Sequence, residues 1–390
     1  MEHKSYDVLI VGGGVIGSSI AYHLLSDGMD GKVAVVEKDP TYEFASTPRS
    51  MGGIRQQFTT EINIRICLYS IQAFERFDEE MEVEGEPAHA EYKPFGYLIL
   101  ADEKNWNVLQ RQCHFQRSLG VDVALLNPTE IKERIPHLNM DGLLGASFGR
   151  RAGYMDPHGV LFGYRRKAQF LGAHYIHAEV VEILRRENRI KGVRTSKGEV
   201  LEGAVVVIAA GPWAAEVGKM AGIDLPVEPS PQMAFHFNPA EQFPYDLPFV
   251  FAPQGQWFRH ESGKQIVTGK HHLGEPGFRF DWDRRYFEEK LWGGLAQLVP
   301  SFDRLKLMRG WGGLYEDNTL DHNALLGAYP GLDGLYVAVG FSGHGLMQSP
   351  AVGKGMSELI RTGCYETVDL SPLNVGRIFT GRRVFEEAVF

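Results

Sequence analysis

Three glycines and one acid carry the first legible chemistry of the chain. Gly12, Gly14 and Gly17 satisfy G-x-G-x-x-G, and Glu37 stands twenty residues beyond the last of them. Gly12 permits a tight turn, Gly14 lets the backbone approach a pyrophosphate, and Gly17 lets a helix pack closely on a strand. A helix opening here offers free N–H groups and the positive end of its dipole to phosphates. Glu37 suits the ribose hydroxyls, and its charge disfavours a 2′-phosphate. The chemistry is dinucleotide binding, and the motif alone does not separate FAD from NAD.

Those residues need a strand, a turn, a helix and a second strand to hold them. YDVLIV (6–11) has the nearly continuous apolar character of a buried parallel strand. SSIAYHLLSDG (18–28) repeats its apolar positions at helical spacing and ends on glycine, and KVAVVE (32–37) reads as a second buried strand. The first 40 residues are therefore a βαβ unit. AVVVIAAGPWA (204–214) adds another parallel-type strand, and GLYVAVGFSGHG (334–345) runs a strand into a glycine turn before the helical segment 349–363. PFGYLILA (94–101) and residues 226–272 show the alternation, aromatics and turn signals of antiparallel strands.

The fold class expected is α/β (α+β overall): a Rossmann-like nucleotide-binding domain interrupted by a mostly antiparallel, mixed-sheet substrate domain. Residues 1–85, 145–222 and 322–390 form the first, and 86–144 with 223–321 the second. The 390 residues exceed one ordinary domain, and 44% hydrophobic with 23% charged residues is globular. A net charge of −9 argues against nucleic acid, which needs clustered cations. Cys67, Cys113 and Cys364 are widely spaced without CxxC pairing, so neither a disulfide framework nor a cysteine zinc site is expected, and no metal is assigned. No apolar run reaches the roughly 20 residues that span a bilayer. A cytoplasmic protein is expected, with peripheral membrane contact compatible.

Four further segments carry a resemblance: STPRSMGGIRQQF (46–58), VVVIAAGPWA (205–214), GGLYEDNTLDHNALLG (312–327) and GFSGHGLMQSPAVGKGM (340–356). Together with the glycine motif they resemble the D-amino-acid-oxidase-like family of flavoproteins, which includes glycine oxidase, sarcosine oxidases and dimethylglycine dehydrogenase. GGIRQQF and LYEDNTLDHN look most like the group of the mitochondrial FAD-dependent oxidoreductase domain protein linked to complex I assembly. The cofactor implied is non-covalent FAD, because the family's attachment cysteine would fall near Gly313 or Leu314.

The resemblance implies that Gly12, Gly14, Gly17, Glu37 and Lys38 face the ADP half of FAD. Ser46, Arg49 and Ser50 lie where the family's loop passes the pyrophosphate and ribityl chain, and Ala210 and Gly211 close over the nucleotide. Gly343, His344, Gly345, Leu346 and Met347 lie at the isoalloxazine N1–C2=O edge. Val15, Ile16, Gly52, Val180 and Trp213 complete the cofactor set. A helix starting after Gly345 directs its dipole at an edge that turns anionic on reduction.

For chemistry, Arg55 matches a substrate-binding arginine of the sarcosine oxidases and suits a bidentate grip on carboxylate. His271 matches an active-site histidine, while Tyr315 and His344 are candidates to line the pocket. The implied reaction oxidises a C–N bond: hydride leaves the α-carbon for flavin N5, and water hydrolyses the imine. Two departures stand out. Met347 and Gln348 replace a carboxylate-holding lysine, which disfavours sarcosine itself. Val267, with Lys270 three positions on, replaces the lysine that promotes reaction with oxygen, which favours a dehydrogenase over an oxidase. The partners expected are a small amine or amino acid and an acceptor among oxygen, a quinone or a carrier protein. A homo-oligomer or a subunit of a larger complex is equally compatible. The alternative is a flavin-bearing assembly protein with little turnover.

Overall fold

In a computed structural model the described residues are 4–271 and 274–387. His272, the last residue of the antiparallel stretch 226–272, and the extreme ends of the first and last pieces assigned above lie outside them. The opening strand, Lys4–Val11, buries Val8, Leu9 and Ile10 completely, as an apolar run with a layer on each face must. Each such side chain stabilises the fold by about 1.5–3 kcal/mol relative to exposure. The chain leaves the strand through Gly12 at φ +104°, where a Cβ would stand 2.4 Å from the carbonyl oxygen of Ala209. The helix Val15–Ser26 follows, ending before Gly28 at φ +82°.

The first sheet runs Leu325–Ala328, Leu335–Val339, Val200–Ile208, Lys4–Val11, Val33–Glu37, His174–His177. Its inner pairings are parallel, and Leu325–Ala328 is an antiparallel edge. An antiparallel hairpin, Val180–Arg186 with Arg189–Thr195, continues from Val200–Ile208. One face is covered by the helices Val15–Ser26, Glu61–Phe74, Pro157–Phe170 and Gly345–Thr362. The hairpin and the helix Ala214–Met220 enclose the core on the other. This is the expected discontinuous Rossmann-like sheet, with strands drawn from the start, middle and end of the chain.

The second sheet orders Lys306–Asn318, Val227–Asn238, Ile266–Lys270, Gln256–His260, Phe249–Phe251, Tyr97–Asp102, Leu143–Gly149, Val123–Leu126. It is antiparallel throughout except where Phe249–Phe251 lies parallel to Tyr97–Asp102. Leu143–Gly149 pairs along its length with Tyr97–Asp102, so this sheet extends past residue 145, where the sequence reading began the nucleotide-binding piece. Side-chain alternation splits the strands cleanly. Leu98, Leu100 and Val250 enter a phenylalanine-rich core, while Tyr97, Ile99, Phe249 and Phe251 point to the opposite face. That second face, and the edge of the first sheet where Lys4–Val11 ends, bound the same space. Among the described residues no helix is long and apolar enough to cross a membrane.

Candidate active site

A cavity of about 570 Å³ runs from the glycine turn at Gly12–Gly14 to Tyr97, Arg55 and Tyr315. Every site residue expected from sequence lines it except Gly17. Gly17 acts one layer down: a Cβ there would stand 2.0 Å from the carbonyl oxygen of Gly12, so glycine lets the helix close onto the turn.

At the nucleotide end, the carboxylate of Glu37 accepts the N–H of Gly13 at 2.7 Å and of Asp39 at 2.8 Å. Burial raises its pKa, and the two backbone donors oppose that rise. Lys38 Nζ stands 3.7 Å above the ring of Trp213, and burial lowers its pKa. Trp213 stacks on Phe278 with centroids 5.1 Å apart, and Phe44 meets Phe280 at 4.7 Å beneath the guanidinium of Arg49. Arg49 is held by the carbonyl oxygens of Glu43 and Gly312, both at 2.6 Å, so it bridges the loop after the second strand to the second sheet. Ser50 Oγ accepts the N–H of Gly52 at 3.4 Å, and Gly52, at φ +67°, has no room for a Cβ, which would stand 2.0 Å from the Met155 carbonyl oxygen.

At the other end, Arg55 is 4% exposed and lies over the ring of Phe58 at 4.5 Å. Its Nη2 is 3.3 Å from Nε2 of His344. Among the described residues no carboxylate pairs with it. Arginine can only donate, so His344 Nε2 must accept and the proton of the neutral ring sits on Nδ1. Burial, then Arg55, hold the His344 pKa down to about 3. His271 stacks near Tyr315, with centroids 6.2 Å apart. Tyr315 lies against the backbone of Gly343, where a Cβ would come within 2.6 Å of the ring. Burial raises the hydroxyl pKa of Tyr315, and Arg55 opposes it.

The turn 340–344 feeds the helix Gly345–Thr362, whose N-cap His344 makes no side-chain cap. Gly345, Leu346 and Met347, the first residues of that helix, line the cavity. Gln348 turns away, its amide donating to Asn63 at 3.0 Å in a buried polar pair. Val267 is buried off the cavity while Lys270 lines it. Cys67, Cys113 and Cys364 are all off the cavity, though Gly313 and Leu314 line it.

Sequence reasoning missed part of the lining. Tyr97, Phe249, Phe251 and Trp257 build an aromatic wall, with Tyr97 stacked on Phe249 at 4.8 Å and on Phe251 at 5.3 Å. Tyr42, Phe278, Phe280 and Glu316 also line the cavity. Two buried oxygens on its wall, Ser46 Oγ and Tyr42 Oη, make no hydrogen bond of good geometry among the described residues. A glycine cradle, an acid at the second strand's end, orphaned hydroxyls and an uncapped helix start fit an extended dinucleotide whose far ring gains negative charge.

Comparison with known proteins agrees with that geometry. A sequence model of the family described as FAD dependent oxidoreductase matches residues 7–359. The FAD-dependent oxidoreductase domain-containing protein 1 of Bos taurus is 34% identical over 98% of this chain and 87% of its own. Among solved structures, L-proline dehydrogenase from P. horikoshii superposes with a TM-score of 0.90 at 30% identity, covering 98% of this chain and 100% of that one. Glycine oxidase from Geobacillus kaustophilus gives a TM-score of 0.83 at 27% identity, covering 96% and 99%.

Proposed function

The chain belongs to the FAD dependent oxidoreductase family, and from that membership we propose that it oxidises the C–N bond of a small amino acid or N-substituted amino acid. The observation that carries the reading is Arg55: a buried guanidinium on the cavity wall with no carboxylate partner among the described residues. Burying a cation without a counter-ion is costly, and a substrate carboxylate relieves that cost. Arg55 keeps donors free for a two-point grip while one of its N–H groups rests on His344.

The rest of the wall then orients the substrate. Tyr97, Phe249, Phe251 and Trp257 give the side chain an apolar surface and keep water from the reacting carbon. Neutral His344 and un-ionised Tyr315 border the site without adding charge that would compete for the carboxylate. The first-sheet pieces would hold the ADP half of the cofactor, with Gly12, Gly14, Glu37 and Lys38 facing it and Ser46 beside the pyrophosphate and ribityl chain. Bound non-covalently, FAD would supply the two-electron acceptor for the hydride of the α-C–H bond, and the imine left on the substrate would be hydrolysed by water.

We place the enzyme among dehydrogenases because Val267 stands where the sarcosine oxidases keep their oxygen-promoting lysine. Lys270 on the cavity wall is the residue that tests this assignment. Proline heads the substrates to try, since the solved relative from P. horikoshii is an L-proline dehydrogenase and the aromatic wall suits an apolar ring. Anaerobic addition of proline, glycine, sarcosine and pooled amino acids should bleach the flavin absorption with one of them. A flavin bleached by none would sink the reading and favour an assembly role with little turnover.

A further inference from the structure

Glu316 is a titratable group on the cavity wall that substrate binding and hydride transfer leave unused. It follows Tyr315 on the strand Lys306–Asn318. Its Oε2 accepts the N–H of Gly340 at 2.9 Å, and the backbone of Phe341 beside it also favours the ionised carboxyl electrostatically. This side chain thus holds the first residue of the turn 340–344, between the strand Leu335–Val339 and the helix Gly345–Thr362. The backbone adds a second tie, with the N–H of Ser342 donating to the carbonyl oxygen of Glu316 at 3.1 Å. Oε1 lies 3.8 Å from where a Cβ on Gly345 would stand, so the carboxyl reaches the first residue of the helix.

The turn needs such a tie. Gly340, Ser342 and Gly343 all have left-handed φ, at +74°, +49° and +92°. For Ser342 that conformation costs roughly 1 kcal/mol, and it persists only where the surroundings fix it.

We propose that Glu316 is a positioning residue, a tie that fixes the turn 340–344 and so sets the field that the helix start applies at the flavin edge. The inference rests on the FAD-dependent reading of this site. The tie carries no charge. Burial outweighs the two backbone groups and pushes the carboxyl up to about 8, so it keeps its proton at neutral pH. A protonated carboxyl still accepts N–H bonds at its carbonyl oxygen. An ionised one would repel the negative charge that arrives at the same edge on reduction.

The midpoint potential of the bound flavin, measured by chemical reduction against a reference dye, reads this directly and needs no substrate. Glu316→Ala should shift the oxidised-to-reduced equilibrium towards the oxidised form by about tenfold, the upper range of a helix-terminus effect. For a two-electron couple that is roughly 30 mV. Glu316→Gln, neutral and able to accept an N–H, should restore most of it. A Glu316→Ala potential equal to the parent's overturns the proposal, and so does a Glu316→Gln potential displaced as far as that of Glu316→Ala. If Glu316→Ala does not retain FAD, Glu316→Asp, one methylene short of the turn, replaces it with the same two readings. A parent flavin that no amine bleaches would strike the proposed function and leave this measurement standing. An unmoved potential in an amine-bleached enzyme would do the reverse.

Discussion

The guanidinium of Arg55 donates to Nε2 of His344 across 3.3 Å, joining the segment after the second strand to the turn before the C-terminal helix. Two residues separated by 289 positions are thereby locked in one tautomer and one orientation. The contact spends one N–H of Arg55 and leaves the rest of its planar fork for a ligand.

Arg55→Met should therefore raise the apparent Kd of substrate or of a carboxylate inhibitor. Losing hydrogen bonds to a charged group costs about 1.5–3 kcal/mol, or roughly ten- to 150-fold. Arg55→Lys should recover part of this, because an ammonium keeps the charge without the fork. Stopped-flow bleaching of the flavin against substrate concentration separates affinity from the limiting rate. Equal affinity in parent and Arg55→Met would remove Arg55 from the binding role.

The pH response of stability follows from His344. Its folded pKa is near 3 and its ordinary value 6.5, so below pH 6.5 the unfolded chain binds the proton and the folded chain does not. This contribution lowers stability as pH falls from about 6.5 towards 3, and is flat above 6.5. His23 and His260, both held near 4 mainly by burial, act in the same direction. Glu316 acts oppositely between its ordinary value and about 8, since its folded form holds the proton longer. The His344→Asn variant should lose less stability than the parent between pH 7 and pH 5, read from urea midpoints at each pH. Parallel losses would show that His344 is protonated in the folded protein.

Much of this arrangement was legible because its signals are local. The glycine turn needs Gly12, Gly14 and Gly17 next to a buried strand, and all three sit where the chain's own backbone would otherwise collide or face the cavity. The family resemblance, carried by four segments, is borne out by the family match and the solved relatives. Residues illegible in sequence act through distant partners. Nothing near Glu316 announces that its carboxyl will meet Gly340, and nothing near Phe278 announces Trp213. The strand Leu143–Gly149 straddles the expected boundary at residue 145, because its short apolar run, rich in small residues, carries no mark of the sheet it joins.

The C-terminal segment gives a third test. Glu386 accepts the N–H of Thr59 at 2.6 Å, the N–H of Thr60 at 3.3 Å and Nδ2 of Asn63 at 2.6 Å. It caps the helix Glu61–Phe74, whose own N-cap Thr60 makes no side-chain cap. Asn63 in turn binds Asn323 and receives Gln348, which ties this cap to the helix behind the cavity. Glu386→Ala should lower stability by about 1–2 kcal/mol, with the denaturant slope unchanged. A midpoint within error of the parent's would mean that water caps the helix equally well.

Gly343 supplies the sharpest steric test of the site. A Cβ there would meet Cε2 of Tyr315 at 2.6 Å and Cζ at 2.7 Å, in a residue already at φ +92°. The ring cannot retreat freely, because Tyr315 sits on the strand that Glu316 ties to the same turn. Gly343→Ala must therefore pay for a left-handed alanine and displace either the tyrosine or the turn, together about 1–3 kcal/mol. The strain falls on the cavity wall and not in the sheet core, so FAD affinity should drop about tenfold or more while the unfolding midpoint of the apoprotein moves less. Gly343→Ala combined with Tyr315→Ala removes the ring and should regain part of the affinity lost by Gly343→Ala alone. If the double variant binds FAD no better than the single one, the loss comes from backbone strain and not from the Tyr315 contact.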